Sequence, residues 1–303
     1  MTPLMTAKTV LAMFLWAVCF PLITAGIVYA PHLSFATLRA VLAGLVLTGL
    51  AFALRRPLPR GLRNWVALSI VGLGATSLGF LGMFHAAEYV SPGIATVIAN
   101  TQPLLAAGLA GAVLGERLTR TGKFGLFLGF SGIVVIASPQ FFADGQDNYI
   151  LGVAYIILAA VGITVSNVMI KKISGRFDAI MAMGLQLLIG SVPLAVAAGF
   201  TEDPSTIEWT FTFIWVLLAL SLFGSALVYW LWVSILQEVA LNRANAFSFL
   251  VPVFGLAMGA LIYGESLGLQ DLIGIVLAIV GVGLVTRKGS MPPSESMLPA
   301  TRM

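Results

Sequence analysis

Residues 100–118, NTQPLLAAGLAGAVLGERL, and residues 249–267, FLVPVFGLAMGALIYGESL, align without a gap at an offset of 149 positions. Pro103 falls on Pro252, Gly115 and Glu116 on Gly264 and Glu265, and Gly108 and Gly111 on Ala257 and Ala260. The match runs on beyond both stretches, with Gly125 on Gly274 and Gly132 on Gly281. Between its proline and its glycine-glutamate pair each stretch carries no charge at all. Two such segments, repeated in order, describe helices that never face water.

The rest of the chain agrees. Of 303 residues 59% are hydrophobic and 9% are charged, with a mean hydropathy of +1.01. A soluble domain has about a quarter of its residues charged, so these charges cannot cover a soluble globule and lipid must be the solvent. One cysteine, Cys19, precludes an intramolecular disulfide, and two histidines without a Cys/His cluster leave no ligand set for zinc or an iron-sulfur centre. Neither a metal nor a cofactor is expected. The net charge of +4 does not point to nucleic acid, because the basic residues sit in short loops and form no domain.

A helix crosses the hydrocarbon core in about 20 residues, and that ruler gives ten spans. They are 9–30, 33–54, 65–86, 91–114, 122–138, 149–170, 179–199, 211–235, 243–263 and 270–287. The first is too long for a signal peptide and lacks a small-x-small cleavage site. Lys8, Arg55, Arg56, Arg60, Arg63, Arg117, Arg120, Lys123, Lys171, Lys172, Arg176, Arg243, Arg287, Lys288 and Arg302 then all fall on the side of the amino terminus. The opposite loops hold Asp144, Asp147, Glu202, Asp203 and Glu208. The positive-inside rule therefore predicts a multi-pass membrane protein with both termini cytoplasmic. The tail 289–303, with Pro292, Pro293 and Pro299, reads as disordered.

The 149-residue offset pairs spans one to five, in residues 1–144, with spans six to ten, in residues 145–288. Five crossings bring the chain into its second half from the opposite side. The expected fold is therefore an all-α membrane protein made of two inverted five-helix repeats. Pro21, Pro103 and Pro252 lie near mid-span, where each removes a bond to the carbonyl of residue i−4, at Ala17, Ala99 and Ser248. Those carbonyls need partners in hydrocarbon, and interrupted helices at matching positions of two halves point to a midplane site. The glycines of spans five, nine and ten, Gly122, Gly125, Gly129, Gly132, Gly255, Gly259, Gly274 and Gly281, read as surfaces for close helix packing.

Ionisable groups at depth are few. Arg39 lies in span two, and a structural role is expected, by snorkelling or by binding backbone carbonyls at a broken helix. Glu116 and Glu265 each close a span and precede the next helix, so each is expected to cap the following amino terminus. His85 and Glu88 lie near water at the end of span three. No span holds a central Asp or Glu, so proton coupling has no visible relay. Uncharged candidates for a substrate cavity are Asn100, Gln102, Asn167, Ser166, Asn245 and Ser248, with the aromatic residues Trp16, Phe20, Phe80, Phe84, Tyr155, Tyr229 and Trp230. Trp65, Trp209 and Trp215 flank spans and read as interfacial anchors.

These residues resemble the drug/metabolite transporter superfamily, in particular its EamA-type ten-helix members. The resemblance is carried by Trp16 to Pro21, by FATLRAVLAGL at 35–45 with Arg39, by VSPGIATVIANTQPLLAAGLAGAVLGERLT at 90–119, and by PVFGLAMGALIYGESL at 252–267. It implies a bacterial inner-membrane carrier with a central cavity between two inverted repeats. Such carriers export amino acids, aromatic ones among them, or other small metabolites. The glutamate that the small four-helix multidrug carriers place in their first helix has no counterpart in span one.

The expected function is thus secondary transport by alternating access, acting on a small-molecule substrate in a lipid bilayer and requiring no oligomer. An intramembrane enzyme would need paired carboxylates, a Ser/His pair or a metal set at depth, and only His85 near Ser77 approaches one. A lipid-precursor flippase on the same scaffold is a further alternative. A channel would need a ring of filter groups, which a twofold repeat does not supply.

Overall fold

The structure is a computed structural model that describes residues 1–90, 95, 98–141, 149–263 and 267–286. All regular structure among them is helical. The first two spans are α1 (Pro3–Gly26) and α2 (His32–Ala53). The third is α3 (Leu62–Val71), a π-helical segment Gly72–Leu78 and α4 (Gly79–Tyr89). Then come α5 (Gln102–Leu114), α6 (Arg120–Phe141), α7 (Tyr149–Ile173) and α8 (Ala179–Thr201). Another interrupted span follows, made of α9 (Phe211–Ser221), a π segment Leu222–Leu227 and α10 (Val228–Glu238). Last are α11 (Leu241–Ala246), a 3-10 turn Phe247–Phe249, α12 (Leu250–Tyr263) and α13 (Leu269–Thr286).

Among the described residues seven helical stretches are long and apolar enough to cross a membrane: Pro3–Gly26, His32–Ala53, Leu62–Ala86, Tyr149–Ile173, Ala179–Thr201, Phe211–Glu238 and Leu269–Thr286. The other predicted spans fall on α6, on α11 with α12, and on α5, whose approach at 91–94 and 96–97 lies outside the described residues.

Two of the three prolines stand where helices begin. Pro21 is inside α1, as predicted, but Pro103 stands at the start of α5 and Pro252 is the third residue of α12. In a first turn the missing N–H has no intrahelical acceptor to lose, so these prolines begin helices instead of kinking them. Pro193, inside α8, is a further interruption that the sequence reading passed over.

Packing follows the small residues. The helix pairs α2–α8 and α6–α13 make the most extensive contacts in the molecule. A Cβ on Gly132 would lie 2.6 Å from the carbonyl of Gly274, and one on Gly281 only 2.5 Å from the amide of Gly129. The seam between α6 and α13 is thus backbone against backbone, the close approach that drives association where lipid tails are as apolar as side chains. The third span docks in the same way, since a Cβ on Gly74 or on Gly82 would meet the carbonyl of Gly162 or of Tyr155. Two of the expected packing glycines are not in seams. Gly255 has open space beside it, and Gly122 meets only Leu118 and Thr119 of its own approach. Large apolar side chains such as Phe200, Phe211 and Leu261 are exposed, and Trp209 and Trp215 stand outward near the start of α9, the arrangement a lipid-facing surface requires.

Candidate substrate cavity

The two π segments occupy matching places in the chain, since the offset of 149 carries 72–78 onto 221–227. A π turn holds one residue more than an α turn and recurs at functional sites. Here both segments turn a carbonyl toward a cavity side chain. Arg39 Nη2 donates to the carbonyl of Gly224 at 2.9 Å, and the Tyr229 hydroxyl donates to that of Ala75 at 3.5 Å. Under the same offset Ala75 and Gly224 coincide. The backbone groups that the sequence reading sought at the prolines are therefore offered by the π segments.

Arg39 is 4% exposed. Its Nε donates to Ser225 Oγ at 2.8 Å, its Nη2 also reaches Cys19 Sγ at 3.6 Å, and its guanidinium lies 4.6 Å from the centroid of the Phe80 ring. The cation is held by dipoles and an aromatic face, with no carboxylate of the described residues within ion-pair distance.

A cavity of about 170 Å³ opens beside it, roughly ten times what a single buried water needs. Its walls include Trp16, Phe20, Phe80, Phe84, Asn100, Gln102, Asn167, Tyr229, Asn245 and Ser248, which the sequence singled out. Arg39 lines it too, although only a structural role was expected there. Helices from both halves of the chain contribute, and no Asp or Glu is among the lining residues.

Two candidates lie elsewhere. Tyr155 packs on His85 and Tyr89, with ring centroids 5.1 and 6.4 Å away, and does not line the cavity. Trp230 is also absent from the wall, and Trp232 takes that place. Its Nε1 donates to Asn167 Oδ1 at 2.8 Å, and its ring meets Trp16 edge-on at 5.2 Å. The spacing could have found it: Tyr229 and Trp232 are three residues apart and share a helix face, whereas Trp230 is turned about 100° from Tyr229. Cys19 and Met83, also in the wall, carried no signal of their own.

Several polar groups prove to be engaged locally. Ser248 Oγ donates to the carbonyl of Asn245 at 2.8 Å, and Ser166 Oγ to that of Val71 at 3.0 Å. Ser77, which might have partnered His85, donates to the carbonyl of Gly190 at 2.7 Å. Glu88 pairs instead with His32 Nδ1 at 2.9 Å. Among the described residues no group of three or more His, Cys, Asp or Glu could hold a metal ion.

The expected cap at Glu116 exists but serves another helix. Its carboxylate accepts from the amides of Leu241 at 2.9 Å and Asn242 at 3.1 Å, at the start of α11 in the other half of the chain. The following helix, α6, is approached by Thr119, whose hydroxyl accepts from the amide of Gly122. Beside α11, Lys171 Nζ donates to the carbonyls of Leu236 and Val239 at 2.6 and 2.8 Å and closes the end of α10. At the start of α2, Glu202 accepts from the amides of Leu33 and Ser34 at 2.8 and 2.7 Å. Glu265 lies outside the described residues.

The sequence profile of the EamA-like transporter family matches residues 5–138 and again residues 150–287. The chain belongs to the EamA-like transporter family. Among its EamA relatives, the uncharacterised transporter YvbV of Bacillus subtilis (strain 168) is 30% identical over 274 residues, covering 90% of this chain and 88% of its own. A protein of Salmonella typhimurium (strain LT2) named "Probable amino-acid metabolite efflux pump" is 29% identical over 285 residues, covering 90% and 91%. A solved crystal structure of another protein, 19% identical, superposes with a TM-score of 0.78 over 94% of this chain and 97% of its own, a likeness of fold. This EamA protein is therefore a multi-pass membrane transporter of small molecules and not an enzyme.

Proposed function

We propose that the protein is a secondary transporter that exports amino acids, aromatic ones among them, or related small metabolites across the bacterial inner membrane. The cavity carries this reading. It is buried among helices of both halves, aromatic on several sides, and edged by amides and one cation. A pocket of that composition suits a small molecule with an apolar body and a polar end.

Alternating access follows if residues 1–144 and 145–288 are two inverted five-helix repeats that rock about the cavity. The doubled family match, the 149-residue offset and the paired π segments support that arrangement. The cap from Glu116 onto α11 then closes one end, and it is the basic end that the positive-inside rule places in the cytoplasm with both termini. The efflux pump named in Salmonella typhimurium supports export and an amino-acid substrate.

The test is counterflow in proteoliposomes, with labelled tryptophan, phenylalanine, threonine and methionine, with and without a pH gradient. Saturable exchange of one of them is expected. Absence of exchange across the panel, by protein shown to be folded, would remove amino acids as the substrate class. Protease protection of a tag placed after Met303, in right-side-out vesicles, tests the orientation.

A further inference from the structure

We propose that the cavity is an anion site, in which Arg39 with the side-chain amides of Gln102 and Asn245 holds the carboxylate of the transported molecule. This rests on the transport reading above and names the part of the substrate that the site recognises.

The argument is a count of donors against acceptors. A guanidinium has five N–H donors. Nε is taken by Ser225 and Nη2 by Gly224 and Cys19, while Nη1 has no acceptor among the described residues. In the same wall Gln102 Nε2 and Asn245 Nδ2 are buried without a hydrogen-bond partner among the described residues, and their residues are 8% and 2% exposed. Two buried amide donors from two helices thus line one cavity with nothing to donate to among the described residues, beside a guanidinium whose Nη1 is not engaged by any of them.

A buried donor left unmade is costly, and a buried charge without a counter-ion more so. A fold normally removes such groups unless something else completes them. What completes these must accept hydrogen bonds and carry negative charge, because the wall has a cation and no acid. One carboxylate meets one guanidinium in charge, and its two oxygens suit a planar fork. A phosphate monoester would bring about two negative charges against this one cation. The aromatic faces of Trp16, Phe20 and Phe84 accept the apolar remainder.

The same wall offers nothing acidic to an ammonium. An amino acid's amine therefore adds little to recognition here, and the corresponding acid without that amine should be recognised as well. Discrimination rests on the carboxylate.

The experiment uses the wild-type protein first, so no variant has to fold. Purified full-length protein is bound to a radiolabelled ligand from the counterflow panel, and unlabelled compounds compete: the amino acids, their carboxamides, and the matching acids lacking the amine. Carboxamides should compete about 10- to 100-fold more weakly than the carboxylates, and the deaminated acids within a few fold of the amino acids. Carboxamides competing as well as carboxylates would overturn the anion site while leaving a carrier. Binding or exchange only of solutes without a carboxylate would overturn it too. Absence of any carboxylate binding, in protein that melts cooperatively, would count against both readings, whereas carboxylate binding without flux would sink only the carrier.

Gln102→Leu and Asn245→Leu then test the assignment, since neither amide holds the fold through a hydrogen bond of its own. Each should weaken carboxylate binding at least severalfold and carboxamide binding less. Equal loss for both ligands would show that the amides merely shape the pocket.

Discussion

The seam between α6 and α13 and the wall of the cavity are both buried contacts between the two halves of the chain, yet they are built in opposite ways. In the seam Gly125, Gly129 and Gly132 meet Gly274 and Gly281 so closely that backbone touches backbone. In the wall large aromatic side chains stand apart, and Gln102 and Asn245 keep donors with nothing to bond. Where the fold has to be rigid it fills every gap with chain. Where a ligand has to enter, it leaves space and unmet hydrogen bonds.

That contrast can be broken at the seam first, where the largest effect is expected. Gly281→Leu places its first added carbon 2.5 Å from the amide of Gly129, and a clash with backbone cannot relax by a side-chain turn. We expect a loss of about 3 kcal/mol or more, enough to abolish monodisperse protein on size exclusion in detergent. A G281L protein that melts normally would show that the seam is looser than its geometry.

Next comes Trp232→Phe, which keeps an aromatic ring, though a smaller one, but strips the donor from Asn167 Oδ1. A cost of about 1–3 kcal/mol is expected in thermal melting, since a buried acceptor is left alone. Glu116→Ala uncaps α11 and should cost about 1 kcal/mol. The same change at Glu202, which follows α8 and caps the start of α2, gives the comparison with a second cap that joins the two halves. If Glu116 closes one end of the cavity, only its removal alters exchange rates as well as melting.

Gln102→Leu sharpens the comparison from the other side. Replacing an unpaired buried amide by an apolar group of similar size is expected to leave stability within about 0.5 kcal/mol or to raise it. Exchange should nevertheless fall. Smallest of all is Gly255→Ala, facing open space, where melting is expected to stay within about 0.5 kcal/mol.

Much of this was legible in the sequence, because lipid imposes a simple pattern. Apolar runs marked the helices, and the offset that set Pro103 on Pro252 exposed a duplication before any contact was known. Trp16, Phe20, Phe80, Phe84 and Asn167 could be chosen by depth and residue type alone. Depth could not tell Trp232 from Trp230, however, because that choice turns on helix face. The partner of Glu116 was hidden for a different reason. A carboxylate at a loop signals a cap, but the amides of Leu241 and Asn242 lie across the fold, over a hundred residues away. The π segments left no trace in composition. The prolines, which did stand out, were read as helix breaks, and two of them stand where helices start.

The only thiol of the chain, Cys19, sits in the cavity wall against Arg39 and the carbonyl of Gly224. Nature has in effect supplied a single-cysteine protein labelled at its own centre. A small maleimide added from one side of the membrane or the other should modify this sulfur only while the path from that side is open. If access alternates as proposed, it can thus be timed on the unmutated chain, and a solute lodged beside Arg39 should slow the clock.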